Sequence, residues 1–161
     1  MYLHAPLKPA NFRVREAFAA KGVAIEIKVH AQSTRTAEEA AAAAGCSVGQ
    51  IVKSLVFRLK PSGRPVLLLV SGANRVDEKK VARLIGESLS RPDAQYVRDI
   101  TGFAIGGIPP LGHAETLLTY IDEALLAHDL VWAAGGTPES VFAIAPTALA
   151  AATSAKSISV G

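Results

Sequence analysis

The chain of 161 residues has one cysteine, Cys46, so it can form no internal disulfide and assemble no cysteine-based metal cluster. Long apolar runs are also missing. Half of the residues are hydrophobic (50%), yet they fall in short stretches, far below the roughly 18 consecutive residues that a membrane span requires. The N-terminal MYLHAPLKPANFRVREAF lacks the apolar centre of a secretory signal, and the expected location is therefore the cytoplasm. There is no GxxxxGK phosphate loop, no GxSxG elbow and no HExxH pair. His4, His30, His113 and His128 are too dispersed to suggest a ligand cluster. Nucleotide hydrolysis and zinc chemistry are thereby disfavoured, and neither a metal nor a cofactor is expected.

Acidic charge is scarce in the first part of the chain. Residues 1–98 hold 16 Lys and Arg against 8 Asp and Glu, whereas residues 99–161 hold 1 against 6. Basic residues gathered on one face would offer a surface to a polyanion such as RNA; spread out, they are solvated helix and loop positions.

The apolar pattern is that of alternating helices and strands. Val14, Phe18 and Ala19 recur at helical spacing, Gly22 stops that helix, and VAIEIKV reads as a strand. In STRTAEEAAAAAG, Thr36 and Glu39 form a capping box ahead of an alanine helix that ends at Gly45. QIVKSLVFRL and PVLLLVSG flank the turn KPSGR and read as a β-hairpin. Asp77 caps DEKKVARLIG, and QYVRDI reads as a short strand. TGFAIGGIPPLGH is an expected surface loop, after which strands and short helices alternate to a final strand at KSISV. With no repeat or linker, residues 1–161 are expected to form one α+β domain on a mixed, curled sheet.

Two features stand out as candidate chemistry. Alternation along a strand puts Lys53 in a row with Ile51, Leu55 and Phe57. An ammonium in such a row either meets an anion or a cleft, or lies along the sheet with its head in water. Ser54 beside it is a surface or core hydroxyl on the same reasoning. The second feature is Gly106-Gly107-Ile108-Pro109-Pro110-Leu111-Gly112-His113. Paired glycines let backbone approach a ligand closely, and prolines hold the shape, which suits binding of a carbonyl or its oxyanion; Gly and Pro in series also make ordinary turns. His113 is a base, a hydrogen-bond donor or a structural histidine. Cys46 has no basic neighbour in sequence and reads as a small buried hydrophobe.

Taken together, STRTAEEAAAAAGCSVGQIVKSLVF, LLLVSGANRVDEKKVARLIG, TGFAIGGIPPLGH and LVWAAGGTPESVFAI resemble the YbaK family, also called the prolyl-tRNA synthetase associated domain. The resemblance runs from about residue 25 to the C-terminus, with the blocks in family order. It implies a mixed, curled, barrel-like sheet surrounded by helices and hydrolysis of the ester joining a wrong amino acid to tRNA. The implied substrate is tRNA for proline carrying alanine, cysteine or serine, and prolyl-tRNA synthetase is an implied partner. The family's functional lysine falls on Lys53 and its accompanying hydroxyl residue on Ser54. Its GxxxP loop falls on Gly106 and Pro110, with Gly107, Ile108 and Pro109 between. His113 is shared by part of the family. Many relatives carry serine where Pro109 stands, which bears on substrate choice. In relatives the lysine positions the substrate, the loop holds the acyl end, and the terminal ribose hydroxyl helps to activate water. A non-catalytic tRNA- or synthetase-binding module of the same fold is the alternative, and a hydrolase of small esters or amides a third reading.

Overall fold

The computed structural model describes residues 2–3, 6–31, 34 and 36–161; His4, Ser33 and Arg35 lie outside the described residues. In chain order the elements are β1 (Tyr2–Leu3), α1 (Pro9–Ala19), β2 (Lys28–His30), α2 (Ala37–Ala44), β3 (Val52–Lys60), β4 (Pro65–Ser71), α3 (Glu78–Ile85), β5 (Ser88–Ser90), α4 (Ala94–Thr101), β6 (Leu118–Asp122), β7 (Val131–Ala134), β8 (Ser140–Ile144), α5 (Pro146–Thr153) and β9 (Lys156–Ile158). Short 3₁₀ turns at Val48–Gln50 and Glu123–Ala127 complete the set.

Local rules account for most of these boundaries. The Thr36 hydroxyl accepts from the Glu39 amide while the Glu39 carboxylate accepts from the Thr36 amide, closing the capping box, and Gly45 ends α2 with a left-handed φ. Asp77 accepts from the Lys80 amide at the start of α3. The hairpin of β3 and β4 forms as expected, with Val52 opposite Ser71 and Arg58 opposite Pro65. QYVRDI, however, is helical. Asp93 accepts from the Tyr96 amide, Gly102 ends the helix in the left-handed region, and Val97, Ile100 and Thr101 are buried at helical spacing. A good cap and a glycine stop outweigh the β-branched composition. Of VAIEIKV, the residues up to Ile27 form no strand; Val23 and Ile25 pack on the core without a ladder.

The strands divide into two sheets. One is antiparallel in the order β1-β2-β8-β7; the other is mixed, β5-β3-β4-β6-β9, with β4, β6 and β9 parallel. Strand β4 is buried on both faces: Leu67 and Leu69 join the main core with Phe18 and Phe142, while Val66, Leu68 and Val70 pack on Val81 of α3. That double burial explains its unbroken apolar run.

Among the described residues neither sheet curls shut, which corrects the barrel-like expectation. Among the described residues one parallel bridge, Ile51 to Trp132, links the two sheets. On that side of β3 the next ladder begins at Arg58, opposite Ser90 of β5. Between Ile51 and Arg58 the edge of β3 thus has no strand partner among the described residues, and closure fails there. The gap contains Lys53 and Ser54.

Candidate active site

Two clefts open along this free edge. The first, about 480 Å³, lies between β3, α2, β7 and the loop after α4, and Lys53, Ser54, Gly106 and Ile108 all line it. Its remaining wall is mostly small or apolar, with Ala37, Ala40, Ile51, Trp132 and Ala133, and Thr34 and Thr36 add two hydroxyl residues. The second, about 540 Å³, lies farther along the same strand, reaching Phe57, and shares Lys53, Ser54, Leu55, Ile105 and Ile108 with the first.

Lys53 is half-buried, and its Nζ donates to the Asn74 carbonyl at 2.6 Å. That carbonyl is held in turn: Asn74 Nδ2 donates to Asp122 Oδ2 at 2.9 Å, and Asp122, only 2% exposed, also accepts from the Ser71 and Ala124 amides. A buried carboxylate at the end of β6 therefore fixes the loop that aims the lysine. Desolvation pushes the Lys53 ammonium below its ordinary pKa; Glu38 works against this, Arg75 with it, and Asp122 against it. Ser54 Oγ is shielded from solvent and has no hydrogen-bond partner, although it borders both clefts. A buried hydroxyl left unmatched is a group ready to pair with a ligand.

The loop between α4 and β6 is less exposed than expected: Gly107, Ile108, Pro109 and Pro110 are all buried. Gly106 takes a φ of +99°, which turns the chain toward the first cleft. Gly107 meets protein rather than ligand. A Cβ there would come within 2.7 Å of the Thr137 backbone, and its N–H already donates to the Ala104 carbonyl. The turn that receives it is rigid, since the Thr137 amide donates to Ser140 Oγ and the two hydroxyls are 2.6 Å apart. His113 Nε2 lies 2.7 Å from the Pro109 carbonyl, to which a neutral ring donates. Burial pushes the His113 pKa down, and the Pro109 carbonyl offsets this in part. Lys53, Ser54, Gly106 and Ile108 thus share a cleft, whereas Gly107, Pro109, Pro110 and His113 stand behind it and shape the loop.

Asn74, Asp122, Arg75 and Arg91 drew no notice in the sequence. Asp122 at the end of the apolar run LLTYID was the available signal. Cys46 is half-buried beside the α2 cluster, and desolvation raises its thiol pKa, as an inert packing residue requires. Among the described residues no three acidic, histidine or cysteine side chains gather to hold a metal ion, and no helix is long and apolar enough to cross a membrane.

Known proteins are similar in sequence and fold. The crystal structure of a candidate trans-editing enzyme for prolyl-tRNA synthetase is 47% identical, with a TM-score of 0.91 over 96% of this chain and 98% of its own. A proline–tRNA ligase from Bacillus licheniformis is 35% identical over 101 residues, 62% of this chain but 17% of the ligase, so the match is to one segment of that larger enzyme. EbsC from Enterococcus faecalis, named as a candidate deacylase of Cys-tRNA(Pro) and Cys-tRNA(Cys), is 27% identical over 117 residues, 71% of this chain and 70% of EbsC. The family model described as an aminoacyl-tRNA editing domain matches residues 31–152. The chain belongs to the aminoacyl-tRNA editing domain family.

Proposed function

We propose that this protein is a trans-editing aminoacyl-tRNA deacylase acting on tRNA for proline that carries a small wrong amino acid. The observation that carries the reading is the convergence of Lys53 and Gly106 on one cleft walled by alanines. An aminoacyl ester is already activated, so the protein has to hold it, stabilise the tetrahedral oxyanion and admit water. Water adds to the carbonyl carbon and the bond to the ribose oxygen breaks. The products are the free amino acid and a tRNA whose terminal hydroxyl has regained a proton.

Each group has a part in this. Lys53 positions the ester from the edge of β3, and Ser54 pairs its open hydroxyl with the substrate. Backbone at Gly106 borders the carbonyl, and Ile108 limits the side-chain space. Gly107, Pro109, Pro110 and His113 keep the loop in shape. No side-chain nucleophile takes part. Pro109 offers no hydroxyl where many relatives have serine, so the Ser54 hydroxyl is the one available to the substrate from these two motifs.

Small side chains fit the alanine-lined wall, and shape alone discriminates by about 1–3 kcal/mol per methylene, so alanine, serine and cysteine are expected to overlap as substrates. The test presents the protein with tRNA for proline charged in turn with alanine, serine, cysteine and proline, and follows loss of the ester. Faster clearance of the small wrong amino acids than of proline supports the reading. No hydrolysis of any of them overturns it in favour of a binding module.

A further inference from the structure

The second cleft differs from the first in charge. Among the described residues Lys53, Arg75 and Arg91 all line it and no carboxylate does, whereas the described lining of the first cleft contains one cation, Lys53, and no carboxylate. Both arginines stand on fixed supports. Arg75 follows Asn74 in the loop pinned by Asp122, and Arg91 leads from β5 into Pro92. Among the described residues Arg75 makes no ion pair. Arg91 pairs with Glu78 at 2.9 Å, but that pair is open to solvent (78% and 36% exposed side chains) and worth little, so a phosphate can displace it easily. Between the arginines the lining is apolar, with Val56, Phe57 and Val97, and the Arg91 guanidinium lies over the Phe57 ring, 5.9 Å from its centroid.

We infer that the second cleft is a subsite for the RNA backbone leading to the esterified ribose, with Arg75 and Arg91 contacting its phosphates and Lys53 standing at the junction with the acyl cleft. The inference rests on the proposed deacylase reading. It also gives the ester a direction. An aminoacyl ester carries an amino group at one end and phosphates at the other, so the end with anions goes to the cleft with three cations. The acyl group is left on the alanine-walled side.

The test measures binding of an uncharged acceptor hairpin ending in CCA to the intact protein, across a salt series, for wild type, Arg75→Ala, Arg91→Ala and Arg64→Ala, the last in the β3–β4 turn outside both clefts. Each cleft substitution is expected to weaken binding about tenfold and to flatten the slope of log Kd against log salt by about 0.7. Arg75→Lys is expected to keep most of the slope because it keeps the charge. Arg64→Ala is expected to bind as wild type does. Wild-type affinity and slope in both cleft variants would overturn the inference, as would an equal loss in Arg64→Ala, which would mean diffuse attraction. Hydrolysis is scored separately on the alanyl hairpin and on the alanyl ester of adenosine, which has no phosphates. The cleft variants are expected to lose rate on the first and keep it on the second. A wild type that binds the hairpin through these arginines yet hydrolyses neither ester would sink the deacylase reading and leave the subsite standing.

Discussion

The two clefts share a strand and five residues, yet among the described residues one is walled by alanine, isoleucine and tryptophan with a single cation while the other carries three cations. The contrast follows from one topological fact: among the described residues the edge of β3 away from β4 has no strand partner between Ile51 and Arg58. A closed barrel would have filled this edge with another strand. Left open, it presents Lys53 and Ser54 to both clefts, and the elements that flank it decide what each cleft receives. α2 and β7 bring small and apolar residues to one cleft, and the loop after β4 and the end of β5 bring arginines to the other. On the proposed reading, this open strand edge sorts the two halves of a bipolar substrate.

Substitutions confined to one cleft separate the two roles. The largest expected effect is at Gly106, where a valine is strained at a φ of +99° and intrudes on the acyl side alone. Gly106→Val is expected to lower hydrolysis by about a hundredfold or more, at a stability cost of about 1–3 kcal/mol, while affinity for the uncharged hairpin stays at the wild-type level. A parallel loss of RNA affinity would break the division between the clefts. The arginine substitutions above are the converse, with RNA affinity falling about tenfold and the adenosine ester unaffected.

The smallest effect is expected from His113, which supports the loop from behind both clefts. Its folded-state pKa lies below the ordinary value of 6.5, so the unfolded chain binds its proton more readily. Stability from the neutral ring is therefore fully present above about pH 6.5 and is lost as pH falls through the folded value. Thermal melts between pH 7.5 and 5 are expected to show this acid loss in wild type and a weaker one in His113→Gln. An unchanged acid dependence in the variant would assign it to other groups.

Much of the fold was legible because the signals are local. The Thr36–Glu39 capping box, the Asp77 cap and the turn between β3 and β4 each depend on residues within a few positions of one another. QYVRDI reads as a strand in isolation but is helical, because Asp93 just before it and Gly102 just after it are the cap and stop that make it α4. At the site, Lys53 was conspicuous as a cation in an apolar strand row, and Gly106 as part of a glycine pair. What was hidden depends on distance along the chain. Asp122 acts on Asn74 across 48 positions, and Arg75 and Arg91 reach a common cleft only once β3, β4 and β5 have paired. The unclosed sheet was equally hidden, since the missing ladder beside β3 is a matter of long-range pairing.

Lys53 lines both clefts, and its ammonium donates to the Asn74 carbonyl, which places it where the proposed acyl and RNA halves would meet. Single-turnover hydrolysis of alanyl-tRNA for proline by wild type, Lys53→Ala and Lys53→Arg, with a thermal melt of each sample, tests the account most directly. Lys53→Ala is expected to lose about ten- to a hundredfold in rate, the scale of a charge-assisted contact that also sets geometry. Its melting temperature is expected to hold or rise, because removing a partly desolvated cation relieves a burial penalty. Lys53→Arg is expected to recover part of the rate, since a planar fork replaces a compact ammonium poorly in a confined site. A Lys53→Ala protein that melts as wild type does and hydrolyses at the wild-type rate would contradict the account, leaving Lys53 as a strand residue that merely reaches for water.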